Sequence, residues 1–191
     1  MGHREDLLEG AKRCLLEKGY ARTTARDIVA ASGTNLASIG YHYGSKDALL
    51  HEAFLKVTED WGDRVGPAGH AEVEAVKDPV ERFRKTWEQV ISTFESSRRV
   101  WKLQLEVVAR LDDDEKLREA IREPQAEGRL GMAEEFAGVD PAADPEKARV
   151  AGLLYQALVT GVMIQWLVDP DTAPSAQDLT DGLRAILEDR S

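Results

Sequence analysis

Residues 23–49 read TTARDIVAASGTNLASIGYHYGSKDAL, and their order predicts two short helices joined by a tight turn, then the start of a third. Thr24-Ala-Arg-Asp27 has capping-box spacing, in which the side chains at its two ends satisfy free N–H groups of a helix start. Ile28, Val29 and Ala31 then fall on an inward face. Ser32-Gly33-Thr34 makes the turn, where glycine supplies a backbone angle that other residues resist. Asn35 is an N-cap for a helix from Leu36 to about Tyr41, with Ile39 in the core. Ser45 caps the next helix, and Asp47 lies in its first turn. This is the layout of a helix-turn-helix DNA reader.

Outward from that stretch the chain reads as all-α, with no run of alternating β-branched residues and no internal repeat. Leu7, Leu8, Ala11, Cys14 and Leu15 form one apolar stripe on a helix from about Arg4 to Lys18, which Gly19 stops. The helix capped by Ser45 continues to about Gly62. Residues 62–78 mix glycine, proline and charge and read as a connector. Asp78-Pro79 opens a helix with Val80, Phe83, Trp87, Val90, Ile91 and Phe94 on its inner side. Ser96-Ser97 is the expected break before a helix over about 99–111. Pro124 is expected to kink or interrupt the helical region 114–137. Asp144-Pro145 and Asp169-Pro170 bracket an uncharged helix, and Ser175 to Asp178 repeats the capping-box spacing before a last helix to about Glu188. The expected division is a DNA-binding domain over 1–62, with a linking helix from 46, and a helical domain over 63–191, to which the resemblance below assigns effector binding and dimerisation.

The charge is uneven. The chain carries a formal net charge of −10, which by itself argues against nucleic acid. Residues 1–60 hold 8 Lys+Arg against 9 Asp+Glu, whereas residues 61–191 hold 17 against 26. Within 21–46, Arg22, Arg26 and Lys46 face only Asp27. The acidity belongs to the body, and phosphate contact needs only a locally basic face. One cysteine, Cys14, excludes an intramolecular disulfide framework and reads as a small core residue. The start MGHREDLLEGAKR lacks the apolar stretch of a secretory signal, so a cytoplasmic location is expected. Val150 to Val168 is long and apolar enough to mimic a membrane span. Its Gln156, Thr160 and Gln165, and the lack of a basic flank beyond it, favour a helix buried on two sides, with no membrane partner.

A duplex major groove admits one helix, whose N-terminal residues reach base edges. Thr34, Asn35, Leu36, Ala37 and Ser38 hold those places. Tyr41 and His42 end the helix and reach phosphate or bases. Lys46 joins its charge to the free N–H groups of a helix start, a phosphate clamp. Thr24 and Arg26 grip the backbone from the preceding helix. Tyr43 is expected in the core.

A lone helix-turn-helix pattern is weakly specific; its combination with YHYGSKDAL is much more so. Together with Gly19-Tyr20, Thr23-Thr24, Asp27-Ile28, Ala30, Gly33 and Ile39, the segment Tyr41-His42-Tyr43 through Ser45-Lys46-Asp47-Ala48-Leu49 resembles the TetR (tetracycline-repressor-like) family of bacterial regulators. The resemblance covers about the first 55 residues strongly and the rest by length and helical layout. It implies a homodimer on a palindromic operator, more readily a repressor than an activator, released when a small-molecule effector in the C-terminal domain changes the spacing of the two readers. The family's usual phosphate-contacting tyrosine falls on Gly40, with Tyr41 as the substitute, and its usual phenylalanine is Tyr43.

In the body, Trp87, Trp101, Gln104, Leu105, Tyr155 and Met163 are the candidate effector contacts: aromatic surface with a few polar handles. The helices near 146–168 and 176–188 are the candidate dimer seam. No cofactor is expected. No HExxH, GxSxG, P-loop or GxGxxG pattern occurs, and His3, His42, His51 and His70 lack metal-like pairing, so neither catalysis nor a metal site is expected. The rival readings are a constitutive DNA-binding protein without an effector and a helical partner-binding adaptor.

Overall fold

The computed structural model describes residues 2–65 and 76–188, and among them it is helical throughout with no strand. In chain order the helices are α1 (His3–Lys18), α2 (Ala25–Ser32), α3 (Leu36–Tyr43), α4 (Lys46–Val65), α5 (Pro79–Ser92), α6 (Phe94–Val108), α7 (Glu115–Ala137), α8 (Pro145–Val168) and α9 (Ala176–Glu188). The all-α reading holds, and its helix starts are made by the caps the sequence announced. Thr24 Oγ accepts the Asp27 N–H while Asp27 accepts the Thr24 N–H at 2.9 Å. Ser175 and Asp178 do the same for α9. Asp78 and Asp144 cap α5 and α8, each with proline in the first turn.

Two boundaries differ from the sequence reading. The turn between α5 and α6 falls at Thr93, not at Ser96-Ser97; the Thr93 hydroxyl bonds back to the Val90 carbonyl at 2.7 Å and ends α5. Ser97 is instead a buried acceptor for the Trp61 indole N–H at 3.1 Å. Pro124 does not interrupt α7, which runs through it; the site is exposed, so water can serve the carbonyl that proline leaves unpaired. Most of the expected connector, residues 66–75 with His70, lies outside the described residues.

The chain forms two compact units. The first comprises Met1–Trp61 with Ser97–Pro124; the second comprises Gly62–Ser96 with Gln125–Ser191. Residues 97–124, far along the chain, thus pack with the N-terminal helices. Trp61 sets edge-on against Trp101 at 4.4 Å, which sequence proximity could not reveal.

In the first unit, Leu7, Ala11, Cys14 and Leu15 of α1 are buried with Ile28, Ile39, Leu49, Leu50, Ala53 and Phe54. Burial, the largest cause, pushes the Cys14 thiol pKa up, in keeping with a core residue. At Gly10, α1 packs closely on α2: a Cβ there would stand 2.8 Å from the Ser32 Cβ and 3.1 Å from the Ile28 carbonyl. Gly33 has φ 70, ψ 21 and turns the chain into α3. In the second unit, α8 buries Ala148, Gly152, Tyr155, Val159, Val162, Met163 and Trp166. It meets α7 at Gly152, where a Cβ would overlap the Arg129 carbonyl.

Candidate nucleic-acid interface

The α2–turn–α3 unit is held from behind, so that one face of α3 stays open. Ile28 and Ile39 anchor it to the core. Lys18 Nζ reaches Asp27 at 2.5 Å and ties the end of α1 to the start of α2. Arg13 donates to the Ala31 carbonyl. Arg4 pairs with Glu52 at 2.7 Å, and Lys12 with Asp60 at 2.6 Å. The cations of α1 are thus spent inside the unit, whereas in the reading segment Arg22 donates to the Lys18 carbonyl at 2.8 Å and Lys46 pairs only with its neighbour Asp47. Arg26 is exposed and has no ion-pair partner among the described residues.

On α3, Asn35 Oδ1 caps the helix by accepting the Ser38 N–H at 3.1 Å, leaving its amide NH2 as the donor end. Asn35, Leu36 and Ala37 are exposed, and Tyr41 is 85% exposed, an unusual state for a tyrosine in a packed head. Its ring meets the His42 ring edge-on at 4.8 Å. Thr34 is half-buried, its hydroxyl 2.7 Å from the Ser32 hydroxyl. Ser38 departs from the expected face: it is 8% exposed and lies with Ile39 on the packed side. Tyr43 is only partly buried, with its hydroxyl donating to the Arg4 carbonyl at 2.6 Å and the Arg4 guanidinium 5.0 Å from its ring centre. Ser45 accepts the Ala48 N–H at 3.0 Å and opens α4; Lys46 is half-buried at that helix start, 3.2 Å from Asp47. The exposed or half-exposed set is therefore Thr24, Arg26, Thr34, Asn35, Ala37, Tyr41, His42 and Lys46, with Leu36 added by its 52% exposure.

The body candidates separate. Trp87, Tyr155 and Met163 are buried in the second unit. Phe83 lies 6.1 Å from both Trp87 and Tyr155, and Phe136 lies 5.5 Å from Tyr155, ring centre to ring centre. Burial pushes the Tyr155 phenol up to about 12, and its hydroxyl donates to the Phe136 carbonyl at 3.3 Å. Trp101, Gln104 and Leu105 belong to the first unit, where Trp101 packs on Trp61. Phe83 and Phe136 were not among the candidates. Phe83 was within reach of the sequence, sitting four residues before Trp87 on the same helical stripe; Phe136 was not. Among the described residues no group of three or more His, Cys, Asp or Glu could hold a metal ion.

Known proteins share this arrangement. Residues 7–53 match the model of bacterial regulatory proteins of the tetR family, and residues 79–189 match the C-terminal domain of BetI-type transcriptional repressors. The transcriptional regulator TtgR of Pseudomonas putida is 26% identical over 185 residues, covering 92% of this chain and 85% of its own. The transcriptional repressor AcnR of Corynebacterium efficiens is 40% identical over 47 residues, 25% of each chain. In fold, a transcriptional regulator from Streptomyces coelicolor A3(2) superposes with TM-score 0.69 at 22% identity, covering 96% of this chain and 97% of that one. The multidrug binding protein EbrR, solved with proflavin, gives 0.69 at 19% identity over 96% and 99%. With a reader at one end and a matching C-terminal domain over more than half its length, this chain belongs to the TetR family of DNA-binding transcriptional regulators and is not an enzyme.

Proposed function

We propose that the protein is a homodimeric repressor that holds a palindromic operator and leaves it when a small molecule binds the C-terminal domain. The working division is 1–62 for DNA and 63–191 for effector and partner, with the cytoplasm as its place of work. The observation that carries the DNA reading is the open face of α3. Asn35, Leu36, Ala37 and Tyr41 stand out from a helix whose other side is buried, beside the unneutralised Arg26. Thr34 and His42 flank that face, Thr24 and Lys46 grip phosphate on either side, and Ser38 supports it from beneath.

The dimer reading rests on spacing as well as exposure. Val150, Leu154, Ala157, Gly161, Ile164 and Val168 recur at steps of four and three along α8, the repeat of a helix seam. All but the half-buried Gly161 are exposed in the single chain. On α9, Leu179, Leu183 and Ile186 follow the same steps, and Ile186 and Leu187 are exposed. Two copies of this helix pair form a four-helix interface that covers both stripes.

The effector reading rests on the aromatic group of the second unit, with Trp87, Tyr155 and Met163 as contacts. The Trp87 indole N–H is fully buried with no hydrogen-bond partner among the described residues. A buried donor without an acceptor is costly, and an acceptor on a flat aromatic effector would satisfy it. EbrR, similar in fold, was solved with proflavin, which supports a ligand of that shape. Trp101, Gln104 and Leu105 drop out of this contact set.

Selection of bound sequences from random duplex DNA identifies the operator; release of that operator in a shift assay identifies effectors. Lys46→Ala weakens binding to all duplexes about equally and lowers the slope of log affinity against log salt by about one. An unchanged slope removes Lys46 from the phosphate contacts.

A further inference from the structure

The turn between α1 and α2 leaves backbone N–H groups that no helix ladder uses. Gly19 bonds back to the Leu15 carbonyl at 2.9 Å. The next two N–H groups, of Tyr20 and Ala21, both donate to one carboxylate, that of Glu106, at 3.0 and 2.7 Å. Glu106 lies on α6, some 85 residues further along the chain. The turn is shaped to admit it: Gly19 has φ +83, and a Cβ there would stand 2.4 Å from the Glu106 oxygen. The surrounding groups lock the same junction. Tyr20 is buried, with the Arg110 guanidinium 5.3 Å from its ring centre and the His51 ring stacked at 6.4 Å. His51 Nε2 lies 3.4 Å from Asp114, whose other oxygen caps α7 through the Leu117 N–H at 2.9 Å.

We propose that Glu106 is a positioning residue for operator recognition. It clamps the turn from which α2 and α3 depart, and so fixes the angle at which α3 is presented. The Thr23 hydroxyl carries that constraint forward by donating to the Gly19 carbonyl at 2.7 Å. Charge alone suffices for non-specific binding, whereas an operator of two half-sites demands that both readers be held at one angle and spacing. Loss of the clamp therefore removes discrimination and leaves general affinity for DNA. The proposal rests on α3 being the base-facing helix.

The test measures binding of the full-length chain to the selected operator and to a scrambled duplex, each across a salt series, for Glu106→Ala and Glu106→Gln. Glu106→Ala should weaken operator binding by about tenfold or more, the scale of one charged hydrogen bond. Scrambled-duplex affinity and the salt slope should stay as in the parent, and Glu106→Gln, which keeps an acceptor oxygen, should recover part of the loss. A simple loss of folded protein lowers both affinities together and overturns the proposal, as does an operator affinity within about twofold of the parent. If Glu106→Ala does not fold, the same two criteria are applied to Glu106→Gln, which preserves volume. Tyr41→Ala, on the open face of α3, separates the two readings. If it weakens operator binding and the Glu106 variants do not, the clamp alone fails; if none of the three changes DNA binding, the reading of the α3 surface fails with it.

Discussion

The two ends of the chain hide their apolar residues to different degrees. In the N-terminal helices, the large apolar side chains left exposed are Leu36 and Tyr41, both on α3. In the second unit, Val150, Leu153, Leu154, Ile164 and Val168 on α8, with Ile186 and Leu187 on α9, remain exposed in one copy. On the proposed function, the α3 patch is where the head meets DNA, and the α8 and α9 stripes are the seam that a second copy covers. Exposure then marks recognition in both places, but of different partners. A narrow exposed patch beside unneutralised arginine fits a groove lined with phosphate, and a long uncharged stripe at heptad spacing fits a copy of itself.

The largest break in that contrast comes from Leu154→Glu. Leu154 is 58% exposed in the single chain, so the change leaves the protomer's own core intact. In a dimer it buries two like charges face to face, each costing about 3 kcal/mol or more when uncompensated. Sedimentation should show monomers, and operator affinity should collapse while the folded helix content stays. A dimer that persists would sink the α8 seam. Next in size is Gly10→Ala, which attacks the head where α1 packs closely on α2. The new Cβ meets backbone and a short serine side chain at 2.8 to 3.1 Å, none of which can swing aside. Overpacking outweighs the gain in helix propensity, for a net loss of about 1–2 kcal/mol. Calorimetry should find the melting temperature lowered by about 2–4 °C per kcal/mol. An unchanged or raised value would mean that α1 and α2 have room to separate.

The same contrast explains what was legible in the residues. The head is written in local chemistry: Thr24 with Asp27, Asn35 with Ser38, and Gly33 at the turn each act within three residues. The helix starts at Asp78, Asp144 and Ser175 were readable for the same reason. Ser38 packs with Ile39 instead of standing open because on so short a helix one residue's rotation separates the two faces. What could not be read is whatever two distant segments make together. Nothing near Trp101 announces Trp61, and nothing near Glu106 announces the Gly19–Ala21 turn. The candidate effector set mixed two compact units for that reason: an apolar stripe shows that a helix is covered, not by what.

The smallest expected effect compares two capping boxes that are alike in sequence. Asp27 and Asp178 occupy the same position in α2 and α9, and each accepts from the hydroxyl and N–H of its capping residue. Both carboxyls are held below their ordinary pKa, but by different leading causes: Lys18 for Asp27, and Ser175 for Asp178. A carboxyl depressed in the folded state stabilises above its unfolded pKa and loses that contribution as pH falls through the folded value. The melting-temperature gap between the parent and Asp27→Ala should therefore be full at pH 7 and narrow once the pH drops below about 4. The Asp178→Ala gap should follow the same direction. Salt should tell them apart, because at about 1 M the Debye length falls to about 3 Å and an exposed lysine–carboxylate pair is screened, whereas a hydroxyl-to-carboxylate bond within one turn is not. The Asp27 gap should shrink with salt and the Asp178 gap should hold. If both respond alike, Lys18 contributes nothing that the cap does not, and the head is held by its turns and core rather than by the ion pairs that surround them.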